Sequence, residues 1–404
     1  MALLRLIWKG FKHRPYWHRW PERFGYFPPP DLRHPLWIHA VSVGEFQAAI
    51  PFIKKLMQQH PDRSLVVTTT TPTGSSRVSS VFGNQVFHVY LPYDLPGAVQ
   101  RFLDAVKPEL ALIMETELWP NLFYQCEQRR IPLCIANARL SLHSLHGYLR
   151  LRRLTTPTLG RVSCIATRGS LDQQRFLQLG AEATKVQIAG NIKFDMEIPD
   201  AQVAAGRQLR QQAGNRFTWI AASTHEGEEL QILEAHRIVR QSIPDALLLL
   251  VPRHPERCPH VGTVCRRHGY TVQFRTQSGN IDTGTSIYLG DTLGEMLLFY
   301  SAADVAFVGG SLVPIGGHNM LEPAAVGVPV ITGPSLENFT EISEALLKVG
   351  AMRKINSHQK LASVILQLAG DAQAHQHMAE AGRQLVADNR GALNKLYRQI
   401  QTYL

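Results

Sequence analysis

Cysteine is scarce and poorly placed for chemistry. The 404-residue chain has five, Cys126, Cys134, Cys164, Cys258 and Cys265, an odd number with no CxxC spacing. Neither a disulfide framework nor a zinc site is indicated, and a reducing compartment fits best. HExxH, the Walker GxxxxGK[ST] loop and GxGxxG are all missing, which argues against zinc proteases, P-loop enzymes and dinucleotide oxidoreductases. The first apolar run, residues 2–8, contains Arg5. It is far short of the ~20 residues a spanning helix needs and lacks the h-region and cleavage site of a secretory signal. Acidic residues are outnumbered, 32 Asp+Glu against 42 Lys+Arg, for a net charge of +10 with 17 His besides. Such a surplus suits nucleic acid, anionic lipid or a phosphorylated substrate and does not choose among them. No RNP, helix-turn-helix or zinc-finger signature supports nucleic acid, so no nucleic-acid partner is expected.

What is present is an ordinary globular balance, 45% apolar and 18% charged, in a chain too long for one core. Residues 1–33 stand apart. They interleave Trp8, Phe11, Tyr16, Trp17, Trp20, Phe24, Tyr26 and Phe27 with Arg5, Lys9, Lys12, Arg14, Arg19, Arg23 and Arg33. Aromatics favour the headgroup layer and clustered cations an anionic leaflet, so the segment reads as an interfacial anchor. The competing reading packs these aromatics on the adjoining domain.

After Pro28-Pro29-Pro30 the pattern alternates strand and helix. Buried strands are expected at 36–42, 65–70, 86–91, 110–114, 133–136, 162–166 and 186–189, then at 217–222, 246–251, 271–274, 286–289, 305–308 and 330–332. Residues 45–59 carry Phe46, Ala49, Ile50, Ile53, Leu56 and Met57 at helical spacing. A polar Gln/Ala-rich stretch near 199–214 separates the halves. The expected architecture is α/β, two Rossmann-like domains with parallel sheets facing across a cleft. The boundaries are 34–200, 201–380 and a C-terminal helix over 381–404.

Ligands of open α/β sheets bind beyond the carboxyl ends of the strands, and the polar clusters fall there. They are Ser42–Glu45, Glu115–Asn121, Gly190–Asp195, Ser223–Glu226, Pro252–Pro255, 290–296 and 309–322. Ser42-x-x-Glu45 before an apolar run has the form of a capping box. Glu45 is equally a candidate general base, and a carboxylate at a helix N-terminus ionises readily. Arg253 offers a guanidinium suited to a phosphate or a cytosine carbonyl. Gly309-Gly310-Ser311 and Gly316-Gly317-His318 allow close backbone approach, with a helix near Asn319 offering its amides to a phosphate.

The strings WIHAVSVGE, TTTTPTG, METELWPN, NARLS, GNIKFD, VPRHPER and FVGGSLVPIGGHNMLEP, spread from Trp37 to Pro323, resemble the Kdo (3-deoxy-D-manno-octulosonic acid) transferase family of lipopolysaccharide synthesis. The resemblance implies a GT-B fold and an inverting transfer of Kdo from CMP-Kdo to the phosphorylated lipid A precursor lipid IVA. It also implies no divalent metal and no cofactor, at the cytoplasmic face of the inner membrane. It makes Glu45 the general base and gives Glu115 and Lys193 to transition-state stabilisation, with Glu117 able to share or replace the role of Glu115. It assigns the CMP moiety to Pro252, Arg253, Gly294, Glu295, Met296, Asn319, Met320, Leu321 and Glu322. Family members commonly carry a longer apolar N-terminal anchor than this chain shows.

Residues 126–170 hold eight arginines (129, 130, 139, 150, 152, 153, 161 and 168) against Glu127 alone, a basic face fit for a bis-phosphorylated lipid. Two other functions remain open: a GT-B transferase using a UDP-sugar, and a catalytically silent membrane-surface binding protein.

Overall fold

The computed structural model describes residues 17–277 and 280–404. Trp8, Phe11, Tyr16 and the other anchor residues before Trp17 lie outside the described residues. The chain forms two units, one comprising the chain through Met196 together with Asn389–Leu404, the other Glu197–Asp388.

The first unit is built on seven strands, β1 (Leu36–His39), β2 (Leu65–Thr69), β3 (Phe87–Tyr90), β4 (Leu110–Met114), β5 (Leu133–Ala138), β6 (Cys164–Thr167) and β7 (Val186–Ile188). Their order is β3-β2-β1-β4-β5-β6-β7, and every pairing is parallel. Successive residues feed opposite faces, as strand geometry requires. Leu110, Leu112 and Met114 enter one core; Ala111 and Ile113 enter the other. Covering both faces demands the near-continuous apolar runs seen in the sequence. The chain's end belongs here: Ala392, Leu396 and Ile400 of the helix Ala392–Ile400 pack into the first of these cores. Residues 381–404 thus hold the end of the helix Ala372–Asn389, a break at Gly391 (φ 92°), and this second helix.

The second unit repeats the plan with β8 (Thr218–Thr224), β9 (Leu247–Pro252), β10 (Val272–Phe274), β11 (Ile287–Leu289), β12 (Val305–Val308), β13 (Val330–Thr332) and β14 (Met352–Lys354). The order is β10-β11-β9-β8-β12-β13-β14, again parallel throughout. Trp219 and Ala221 face one core, Ile220 and Ala222 the other. β14 has no counterpart in the expected strands.

In each sheet the chain reverses its direction of travel once, between β1 and β4 and between β8 and β12. Such switch points open a crevice at the strand ends. Three of the eight left-handed non-glycine residues among the described residues lie at these ends. Glu115 (φ 59°) follows β4, while Asn137 (φ 53°) and Ser223 (φ 55°) are the last but one residues of β5 and β8. Register shifts fall at Ile135/Ala138 and Ala222/Thr224. Bulges and left-handed residues without glycine are costly, and they persist where a site needs a side chain re-aimed.

The described part of the N-terminal segment packs on the first unit. Arg23 donates to Thr70 O (3.0 Å) and lies 4.2 Å from the Tyr90 ring centroid. Arg19 donates to Ser75 Oγ (3.1 Å) and His88 O (2.7 Å). Trp17, Trp20, Phe24 and Tyr93 form a chain of edge-to-face contacts at 5.5–5.6 Å. No helix among the described residues is long and apolar enough to cross a membrane.

Candidate active site

β1 delivers the chain to the first switch point, where the helix Val43–Gln59 begins. Ser42 is its N-cap, extended, with Oγ accepting from Glu45 N at 3.3 Å. The Glu45 carboxylate reaches back past the cap and accepts from Val41 N at 2.7 Å and from Ser42 Oγ at 3.3 Å. The side chain therefore completes the capping box. Its ionisation departs from expectation. Burial first, and then the charge of Glu115, lift the Glu45 carboxyl from an ordinary 4.5 to about 7, with a smaller push from Glu117. The bonds from Val41 and Ser42 favour the anion and lose to these terms. A readily ionised cap was expected; a carboxyl poised near neutrality is found.

Glu115 and Glu117 follow β4, the strand beside β1. Glu115 N donates to Ala136 O (2.9 Å), and its carboxylate forms an ion pair with the buried Arg168. Arg168 Nε donates to Asn137 O (3.2 Å). Glu117 has a different electrostatic setting: burial, then Glu115, push it to about 7. The two carboxylates that sequence could not separate are thus distinguished by their surroundings.

Lys193 stands on the 3-10 turn Ile192–Phe194 after β7, at the same edge of the sheet. Asn191 Oδ1 accepts Lys193 N at 3.1 Å, and Asn137 Oδ1 accepts Ile192 N at 3.3 Å. Asn137 therefore ties the turn bearing Lys193 to the arginine that holds Glu115. Asp195 finishes the segment by accepting from Gly391 N and Leu393 N at the start of the last helix. Neither Arg168 nor Asn137 stands among the candidate site residues read from the sequence. Arg168 was counted in the basic face, although its side chain is buried in this ion pair. Arg129 and Arg161 are also engaged, with Asp104 (2.8 Å) and Glu127 (3.0 Å). The basic face contracts to Arg130, Arg139, Arg150, Arg152 and Arg153, all exposed.

In the second unit, Pro252 and Arg253 end β9, Gly294–Met296 follow β11, and Asn319–Glu322 follow β12. All lie at the carboxyl edge of one sheet. Arg253 is exposed, its backbone N–H on Thr224 O at 3.0 Å. Met320 and Leu321 are buried, as is Pro252, leaving only their backbone for a ligand. Glu295 is held by Arg275 (2.9 and 3.1 Å), which draws its pKa down. Gly294 (φ 82°) makes the turn before it. Asn319 Nδ2 donates to Glu322 Oε1 at 2.9 Å, and burial raises the Glu322 pKa.

One expectation about phosphate binding needs correction. The helix after Asn319 is short, Leu321–Ala325. The amides of Gly310–Leu312 are already taken. Buried Glu228 accepts from Gly310 N (2.7 Å), Ser311 N (3.0 Å), Leu312 N (2.9 Å) and His225 N (2.9 Å). A Cβ on Gly309 would lie 2.9 Å from Glu228 Oε2 and 2.7 Å from Ser223 O. The glycine admits the protein's own carboxylate, a contact only tertiary structure reveals.

Two doubly wound parallel units with polar groups at the carboxyl ends of their strands define the GT-B fold class. Its fold is shared with the UDP-GlcNAc 2-epimerase of Neisseria meningitidis, at a TM-score of 0.58 and 14% identity over 91% of this chain and 100% of that one. Residues 18–196 match the family model described as 3-deoxy-D-manno-octulosonic-acid transferase (kdotransferase). The 3-deoxy-D-manno-octulosonic acid transferase of Haemophilus influenzae is 42% identical, covering 96% of this chain and 92% of its own length. That of Bordetella pertussis is 34% identical, over 100% and 97%. The chain belongs to the 3-deoxy-D-manno-octulosonic acid transferase family.

Proposed function

We propose that the chain transfers Kdo from CMP-Kdo to the phosphorylated lipid A precursor, with inversion, and that the first unit holds the acceptor and the second the donor. The observation that carries the mechanism is Glu45, a partly buried carboxyl held near 7 beside Glu115 and Glu117. A base whose pKa matches the working pH is available as carboxylate yet still takes a proton from an attacking hydroxyl. Glu115, fixed by Arg168, supplies negative charge for the oxocarbenium-like carbon. Lys193 supplies positive charge for a substrate or departing oxyanion. Glu117 modulates the pair by its charge.

Donor recognition is assigned to Arg253 and Glu322 by side chain, and to Pro252, Gly294, Glu295, Met296, Asn319, Met320 and Leu321 chiefly by backbone. Among the described residues no three His, Cys, Asp or Glu side chains gather as a metal site.

The acceptor's phosphates and the membrane are matched to the helices Leu142–Arg150 and Arg152–Gly160. Leu142, Leu151 and Leu154 are 57%, 59% and 51% exposed among Arg150, Arg152 and Arg153. Apolar side chains beside cations suit an anionic bilayer surface, here the cytoplasmic face of the inner membrane. The test is CMP release from CMP-Kdo with tetra-acylated lipid A precursor. Release that requires the acceptor supports the proposal. Turnover of UDP-sugars in place of CMP-Kdo refutes it, as does lipid binding without any CMP release.

A further inference from the structure

The five cysteines show no CxxC pair in the sequence, yet the fold sets two of them side by side. Cys134 of β5 and Cys164 of β6 are register partners in neighbouring parallel strands. Both enter the same core, so their side chains leave one face of the sheet. Neighbouring strands run about 4.7–4.9 Å apart, inside the Cα separation of about 4.4–6.8 Å that a disulfide spans. The strands need not part or close for the two sulfurs to be joined.

The other three thiols are placed to stay single. Cys126 enters the core on the opposite face of the first sheet. Cys258 and Cys265 stand two turns apart on the helix Cys258–Arg267 of the second unit, about 10 Å along its axis. Burial pushes the Cys126 and Cys265 thiols up to about 12 and Cys258 up to about 11, which leaves them inert at neutral pH.

The close pair is asymmetric. The hydrogen bond it donates to Cys164, and burial behind that, raise Cys134; accepting this bond draws Cys164 down against burial. Negative charge therefore gathers on the Cys164 sulfur. Cys164 also lines a cavity of 310 Å³ together with Lys185, Arg398, Gln399 and Tyr403. That is about ten times the share of one water in the liquid, ample for a small hydroperoxide. Arg398 brings positive charge to the cavity wall, while Lys185 is paired with Glu182 at 3.1 Å.

We propose that Cys134 and Cys164 form a modification site at which hydrogen peroxide makes a reversible disulfide within the first unit. The Cys164 thiolate attacks one peroxide oxygen and the O–O bond breaks. The leaving hydroxide takes up the proton Cys164 has lost and departs as water. Cys134 sulfur then attacks the resulting sulfenic acid, the S–O bond breaks, and a second water leaves with the Cys134 proton. Two thiols are oxidised and one peroxide is reduced to water. The bond joins β5 and β6 ahead of Asn137 and Arg168, which hold the Lys193 turn and Glu115. In a reducing compartment such a bond is transient and answers an oxidant.

The experiment treats the full folded chain with hydrogen peroxide, quenches it, unfolds it and counts free thiols, with peptide mass mapping to locate any link. Wild type should fall from five free thiols to three, show one link from Cys134 to Cys164, and regain all five with dithiothreitol. Cys134→Ala should stop at a sulfenic acid on Cys164 that dimedone traps. Cys164→Ala should keep its remaining thiols at the same dose. Circular dichroism checks that both variants fold; where one does not, the wild-type map decides alone. Five thiols persisting in folded wild type, at a dose that oxidises free cysteine, overturn the proposal. A link to Cys126, Cys258 or Cys265, a link between chains, or a sulfenic acid on Cys134 in place of Cys164 overturns it as well.

Discussion

Replacing Glu45 by Gln is expected to stabilise the first unit at pH 8 and not at pH 5. The Glu45 carboxyl titrates near 7 in the folded chain against an ordinary 4.5. The folded state therefore binds this proton more tightly than the unfolded state does. Stability is lost as pH rises from 4.5 to 7, and the full cost is present above 7. At 1.36 kcal/mol for each pH unit, the ionised carboxylate costs about 3.4 kcal/mol at pH 8. Gln keeps the volume and an oxygen for Val41 N, losing about 1 kcal/mol of cap and charge-assisted bonding at every pH. The variant should gain about 2 kcal/mol at pH 8 and change little at pH 5, where ionisation still costs about 0.8 kcal/mol and offsets most of the lost bonding. For a unit of this size that is a rise of about 4–8 °C at pH 8. Calorimetric scans of both proteins at the two pH values read it directly. Destabilisation of equal size at pH 5 and pH 8 would refute the reasoning, leaving Glu45 an ordinary helix cap.

Other perturbations test neighbouring parts. Arg168→Met strands the Glu115 charge and should cost about 3 kcal/mol in urea unfolding. Its kcat should fall further than any change in donor KM, and Arg168→Lys should recover part of the loss. Gly333→Ala drives a Cβ against the Ser311 carbonyl oxygen. It must displace the segment held by Glu228, costing about 1–3 kcal/mol and weakening CMP binding. Substituting Arg150, Arg152 and Arg153 together by Gln should weaken binding to anionic phospholipid vesicles about a hundredfold, at about 1 kcal/mol per cation. Neutral vesicles should show little change.

Most of the architecture was open to reading because parallel sheets covered on both faces leave continuous apolar runs. Most of the strands announce themselves in this way, Leu110–Met114 and Leu247–Pro252 most clearly. Met352–Lys354 does not, since Arg353 and Lys354 are two of its three residues. Glu45, Glu115 and Lys193 were legible as charges following strands, and the fold sets all three at one sheet edge. Their electrostatics were not legible. Ionisation of Glu45 depends on burial and on Glu115, 70 residues on, and Glu115 is paired with Arg168, whose place in an arginine-rich run suggested the surface. Glu228 escaped notice for the same reason: its partners, Gly310–Leu312, lie more than eighty residues away. Local pattern reports burial and turns, while pairing across a sheet edge is set by topology.

The most direct test of Glu45 as the base is the rate of acceptor-dependent CMP release by wild type and Glu45→Gln at pH 8, both shown to be folded. A fall of about a hundredfold to ten-thousandfold in kcat, the range for loss of a general base, is the predicted result. A folded Glu45→Gln protein that turns over CMP-Kdo at the wild-type rate would contradict it.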